Sequence, residues 1–364
     1  MYSGIKLGAA TLILLTTSAF TQFDGFVAGV EAAARSTQAL LGLKQKYRAP
    51  SDMPVPPENP QTPEKIALGR KLHFDPSLSK TGTVACASCH GPRAGFEDGK
   101  DRSIGVTGER LPRHSPTTIN LAWSEAYFWD GRAASLEEQA LGPIAAEKEM
   151  GMPHDLVVSK LQANPEYTRQ FAAAFPGEDI SIQTFAKAIA AFERTLTFTA
   201  SPFDAWLAGD EDAISATAKR GFMVFNGKGR CAECHSGWNF TDDSFHDIGL
   251  KSEDQGRYAI LQIDALKHAF KTPGLRNIRE RAPYMHDGSL PTLASVIDHY
   301  NDGFVHRETL SDLIKPLGLT KVEKAELVAF LETLSTPVPE DLKHDAEKMD
   351  KSAALVTGNT SGGR

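Results

Sequence analysis

With 364 residues, the chain is long enough for two domains of ordinary size, each burying its own core. Hydrophobic residues at 41% and charged residues at 23% exclude a disordered or fibrous chain. A formal charge of −7, with no dense block of lysine and arginine, argues against a nucleic-acid partner.

In chain order, Lys6 first precedes an apolar run from Leu7 to Phe20. That run has the length of a signal-peptide core and is short for a membrane span. Residues 1–22 therefore read as an export signal, with an N-terminal anchor as the alternative, and the expected location is periplasmic. No other stretch is long and apolar enough for an integral membrane domain. Residues 23–60, which include the Pro-rich RAPSDMPVPPENP, read as an irregular lead-in.

Thr62 followed by Pro63 predicts a helix start, with Ile66, Gly69, Leu72 and His73 at helical spacing. Ser135 with Glu138 makes a capping-box pattern for a helix that stops at Gly142-Pro143. Phe185, Ile189, Phe192 and Leu196 fall on one helical face. SPFDAWLAGDED then breaks the pattern and marks a boundary between domains 61–200 and 201–337. A helix ending in KRGFMVF follows, and Thr320 with Glu323 caps a last helix bearing Leu327, Phe330, Leu331 and Leu334. The tail, 338–364, ends in TGNTSGGR and reads as disordered. Strand patterns are scarce.

All four cysteines lie in two C-x-x-C-H strings, Cys86-Ala-Ser-Cys89-His90 and Cys231-Ala-Glu-Cys234-His235. Covalent attachment of haem c needs two thiols for the vinyl groups and a histidine for the iron, and this spacing supplies them. A zinc site would need the strings to converge, and a redox pair would need a βαβ context that is absent. The expected fold is thus all-α: two cytochrome c-like haem domains with long loops and little strand. A weak repeat supports it, since LGRKLHFDPSLSKTGTVACASCH and AKRGFMVFNGKGRCAECH each run from a helix through a polar loop to the string. Two haems permit either an enzyme with an open iron or a non-catalytic electron carrier or sensor.

From about Pro54 to Pro337 the chain resembles the bacterial di-haem cytochrome c peroxidase/MauG family. The strings that carry the resemblance include RHSPTTIN, FWDGRAASLEEQALGPI, SPFDAW, CAECHSGWNF, FHDIGL, KTPGLRNI and APYMHDGS, in that order. The resemblance implies a peroxide-reducing first haem and a second haem that passes oxidising equivalents to a redox partner protein. It implies Glu149 as distal acid–base, Gln139 as distal amide, Pro143 as a pocket wall and Trp129 as a relay between the haems. Asp130 and Arg132 fix the turn beside that tryptophan or meet a propionate. Many family peroxidases carry a removable histidine ligand after the first string, but Gly91–Arg113 contains none, so the first haem is expected open. His114 replaces an asparagine that helps the family bind calcium, and imidazole is a poor calcium ligand. His114 therefore reads as a core or a distal-side group, and calcium stays an open question. At the second haem the resemblance implies Tyr300 as far ligand, as in MauG-type members, with Met285 and His299 as rivals. Gly229 stands where MauG carries a surface tryptophan, so a different exit route to the partner is expected. His73, His246 and His286 read as structural.

Overall fold

Helix-forming residues and short caps dominate the computed structural model, which describes Met1 and residues 37–360. The leader expected over 1–22 lies, Met1 apart, outside the described residues. The chain divides into two compact units, Met1–Arg48 and Ala49–Arg364. In the first, residues 37–46 form helix α1. This corrects the irregular lead-in: Ala, Leu, Gln and Lys favour helix there, and the prolines begin only at Pro50.

In the second unit, α2 (Pro63–His73) starts as predicted, with Thr62 Oγ1 accepting from Lys65 N at 3.2 Å. The first string forms the single turn α3 (Cys86–Cys89). Helix α4 (Leu136–Ala145) departs from expectation twice. Glu138 turns to the Ala134 N–H at 2.8 Å rather than closing the capping box on Ser135. The helix also continues through Pro143. The proline removes one helical bond, but Ala146 N to Gly142 O at 3.1 Å and Met150 N to Pro143 O at 3.2 Å hold the next turn. Helices α5 (His154–Gln162), α6 (Pro165–Ala174) and α7 (Ile182–Arg194) complete the first cluster, and α7 buries Phe185, Ile189 and Phe192 as its periodicity predicts.

The SPFDAW stretch is itself helical, α8 (Pro202–Ala208), capped by Ser201 and Asp204. Helix α9 (Ala216–Asn226) leads to the second string. Then come β1 (Phe245–His246), α10 (Tyr258–Leu261), β2 (Phe270–Lys271), α11 (Leu293–Asp298) and α12 (Lys321–Glu332). The two strands pair antiparallel and form the only sheet among the described residues. The tail is a further correction: Glu340–Thr360 forms α13. Leu342, Ala346 and Met349 lie one helical turn apart and bury themselves with Phe74, Phe96 and Phe192. Arg70 adds bonds to Asp341 and Asp345 at 2.7 and 2.6 Å.

The weak repeat in the sequence extends much further in three dimensions. Helix α2 packs on α7 as α9 packs on α12. Gly69 lies against the Ala188 carbonyl and Phe192, and Gly221 lies against the Glu326 carbonyl and Phe330. Any Cβ at either glycine would overlap a backbone carbonyl, so both helix pairs require glycine at the crossing. Asn120 and Asn277 take the left-handed conformation, φ 59° and 56°, before single-turn helices. Tyr127 bridges Ala133 as Tyr284 bridges Leu290. Thr292 then caps α11 as Ser135 caps α4.

Candidate functional site

Each C-x-x-C-H string borders a cleft. At the first, Cys86, Cys89 and His90 face Gln139, Pro143 and Glu149. The space continues past His90 toward Phe128, Trp129 and Arg132, with an empty volume of about 1740 Å³ counted to its open mouth. Helix α4 positions Gln139 and Pro143 one turn apart. The following turn holds Glu149 through Glu149 N to Ala146 O at 3.0 Å and Val106 N to Glu149 O at 2.9 Å. Burial raises the Glu149 carboxyl above the usual range, and Arg132 offsets this only in part.

Beneath this cleft, burial keeps the His90 imidazole neutral, and its Nδ1 has no hydrogen-bond partner. The Phe96 and Pro116 carbonyls bear on that ring, as the Phe240 and Pro273 carbonyls bear on His235. Two further groups sit close by. His73 is fully buried between Phe74 and Phe192, both ring nitrogens unpartnered, and burial pushes its pKa down to about 3. Glu193 borders the cleft with one carboxylate oxygen unpartnered, and burial raises its pKa to about 8.

At the second string, Cys231, Cys234 and His235 share an apolar cleft of about 1420 Å³ with Tyr300 and Met285. His235 Nδ1 donates to the Phe240 carbonyl at 2.9 Å, which leaves Nε2 for a metal. Tyr300 is half-buried, and the enclosure of its phenol raises the pKa. His299 Nε2 is bonded to Ile248 O at 3.0 Å, and among the described residues the lining of the cleft includes Tyr300 and not His299. His246 is held by Asp242 at 2.9 Å, and His286 stacks on Phe270 at 3.6 Å.

Trp129 and His114 border both clefts. The Trp129 indole N–H donates to the His114 carbonyl at 2.8 Å, while the Trp129 carbonyl accepts from Lys271 N at 2.8 Å. The tryptophan is thus fastened to residues on both sides. Arg132 bonds Asp130 at 2.9 Å and lies 3.5 Å above the Phe128 ring, which fixes the turn around it. The His114 ring does not reach for a ligand: it bonds Glu97 at 2.8 Å and Lys100 O at 2.7 Å.

Glu193, Glu97 and Arg281 were not singled out by the sequence reading. Glu193 carries a legible signal, since a charge at i+4 from Ile189 stands inside a stripe that is otherwise apolar. Glu97 and Arg281 carry none, because 184 residues separate them.

These residues fit haem c. The four thiols form no disulfide. Burial raises three of them, Cys86 to about 12, Cys89 to about 11 and Cys231 to about 12, so these three stay neutral thiols. Zinc is not supported: among the described residues the sole convergent ligand group is Cys234, Asp242 and His246, with a single thiol.

A mainly helical chain with two such clefts, one faced by a carboxyl and an amide and the other by a phenol, defines a di-haem c-type oxidoreductase. Comparison with known proteins agrees. The family model described as di-haem cytochrome c peroxidase matches residues 63–212. The methylamine utilization protein MauG of Methylorubrum extorquens is 50% identical over 84% of this chain and 88% of its own. The MauG of Methylophilus methylotrophus is 46% identical over 81% of this chain and 90% of its own. The crystal structure of a MauG-like protein associated with microbial copper homeostasis superposes with a TM-score of 0.76 at 34% identity, covering 82% of this chain and 97% of that one. The chain belongs to the di-haem cytochrome c peroxidase family, whose cofactors are two haem c groups, and it is a peroxidase-type oxidoreductase.

Proposed function

We propose that hydrogen peroxide is cleaved in the cleft of Cys86, Cys89 and His90, and that the oxidising equivalents pass by Trp129 to the second haem, on Cys231, Cys234 and His235. In this reading the modules 61–200 and 201–337 carry one haem each, the chain is exported to the periplasm, and a redox partner protein supplies the electrons. The observation that carries it is the makeup of the first cleft above His90. Glu149 and Gln139 face it, and its one other histidine, His114, has both ring nitrogens engaged. Met150, which borders the space, is packed in the hydrophobic core. Among the described residues, neither that histidine nor that methionine is free to close the iron, which supports an open site over a six-coordinate carrier.

When bound, the haem iron supplies the reducing electrons. Glu149 accepts the proton of one peroxide oxygen and returns it to the other, which leaves as water. Burial raises its pKa above the usual carboxylate range, which makes it a stronger base for the first transfer than an exposed carboxylate. The Gln139 amide orients the peroxide by hydrogen bonding, and Pro143 narrows the cleft where a bulkier chain would fill it. At the second site Tyr300, which lines the same cleft as Cys231, Cys234 and His235, would hold the iron together with His235. Burial raises the pKa of this phenol, so it would lose its proton on binding a metal cation through its oxygen, and the anionic oxygen would favour the oxidised iron.

Ferric EPR and absorption spectra, before and after one equivalent of hydrogen peroxide, test this reading. One high-spin and one low-spin signal are expected, with the high-spin signal lost on addition. Two low-spin signals that ignore peroxide would establish the carrier or sensor alternative.

A further inference from the structure

The resemblance implies a calcium ion between the haems, and the residues present there do not fit one. Glu97, His114 and Arg281 form a buried array, with side chains no more than 4% exposed. Glu97 uses both carboxylate oxygens: Oε1 accepts from Arg281 Nε at 2.7 Å, and Oε2 pairs with His114 Nε2 at 2.8 Å. Arg281 Nη1 donates to the Gly274 and Arg276 carbonyls at 2.7 and 3.2 Å. His114 Nδ1 faces the Lys100 carbonyl at 2.7 Å. Calcium takes six to eight oxygen ligands, yet each oxygen of this array already faces a nitrogen.

The charges explain the exchange. A carbonyl only accepts, so His114 Nδ1 carries a proton, and Nε2 facing a carboxylate carries another. The ring is then an imidazolium, and burial, which opposes that charge, is outweighed by the Glu97 bond. Imidazolium and guanidinium together carry the charge of one divalent ion, held in fixed positions. The slot for the arginine is built in: Gly95, at φ 61°, lies against the Arg281 stem, where any side chain would collide.

We infer that the Arg281–Glu97–His114 array holds the wall between the two haem clefts in place of a divalent cation, and that the holoprotein requires no calcium. The array acts on the relay through the backbone. The His114 carbonyl receives the Trp129 indole, and the His114 N–H donates to the His286 carbonyl at 2.8 Å. Arg281 and Glu97 are thus positioning residues for Trp129.

The inference rests on the presence of two haems and is independent of whether peroxide reacts. The holoprotein, purified in calcium-containing buffer, is assayed for metal content, then treated with EGTA and followed by ferric EPR and by the midpoint potentials of both haems. No stoichiometric calcium is expected, and EGTA leaves signals and potentials unchanged. Arg281→Met is expected to shift the EPR signals and the potentials in the absence of any metal. Where that variant fails to load haem, Arg281→Lys, which keeps the charge and loses the fork, gives the same reading. One calcium per chain whose removal reversibly alters the spectra would overturn the inference, and so would arginine variants with unchanged EPR and potentials.

Discussion

Pro143 and Tyr300 occupy the same station in two copies of one supersecondary unit. Each lies equally far beyond the residue that caps its helix, Ser135 in one copy and Thr292 in the other, and each faces the cleft of its own C-x-x-C-H string. Equivalent positions, Pro143 inside α4 and Tyr300 in the wider turn that follows α11, thus present a group with no donor atom to one cleft and a phenol to the other. In the proposed function, the division of labour between the sites turns on this one position.

Tyr300 is accordingly the residue to change at the second haem. Tyr300→Phe is expected to convert the low-spin ferric signal to high-spin and leave the first haem's signal intact. Met285 borders the same cleft from a left-handed backbone position, φ 78°. If Met285→Ala removes the low-spin signal and Tyr300→Phe does not, the ligand assignment moves to methionine.

In the proposed reaction Glu149 moves the proton. Glu149→Gln is expected to slow the peroxide-induced spectral change by about 10²–10⁴-fold in stopped-flow measurements, as loss of a positioned acid–base group does. Because burial lifts its pKa, the wild-type rate rises with pH through a value above the ordinary carboxylate range, as the basic form becomes populated. The glutamine variant loses that limb. A variant with an unaltered rate and pH profile would remove Glu149 from the reaction.

Glu193 is a pH-dependent weakness in the fold. Its carboxyl titrates near 4.5 when exposed and at about 8 when buried in α7. Below the lower value both states are protonated and nothing is lost. As pH rises between the two, only the unfolded chain releases its proton, so stability falls and then levels off. Glu193→Gln is expected to flatten this decline and to stabilise the protein near pH 8 by a few kcal/mol, on the order implied by such a shift. Denaturant midpoints of both proteins between about pH 5 and 8 measure it, and parallel profiles would contradict it.

His73 is an unsatisfied polar group in an aromatic setting. In the second module Phe225 stands at the corresponding place, four residues after Gly221 as His73 follows Gly69. His73→Phe removes two unpartnered nitrogens and is expected to stabilise the protein by about 1 kcal/mol. A lower urea midpoint, or a changed first-haem spectrum, would show instead that the imidazole supports His90.

Local chemistry was legible in the chain alone. The cysteine strings, the caps at Thr62 and Thr320 and the stripes of α7 and α12 depend on neighbours within a few residues, and the sequence determined them. The helical tail was not legible, because packing on Phe74, Phe96 and Phe192 offsets a weak local signal, and the helix through Pro143 was not, because backbone bonds in the next turn make up for the one the proline removes. The site divides the same way. Two covalent haem attachments follow from spacing, and Glu149, Gln139 and Tyr300 stood out by resemblance. Only the tertiary structure brought Glu97, His114 and Arg281 together, across 184 residues between the glutamate and the arginine. It alone showed that the His114 ring is engaged, since a hydrogen bond between distant residues leaves no periodicity to read.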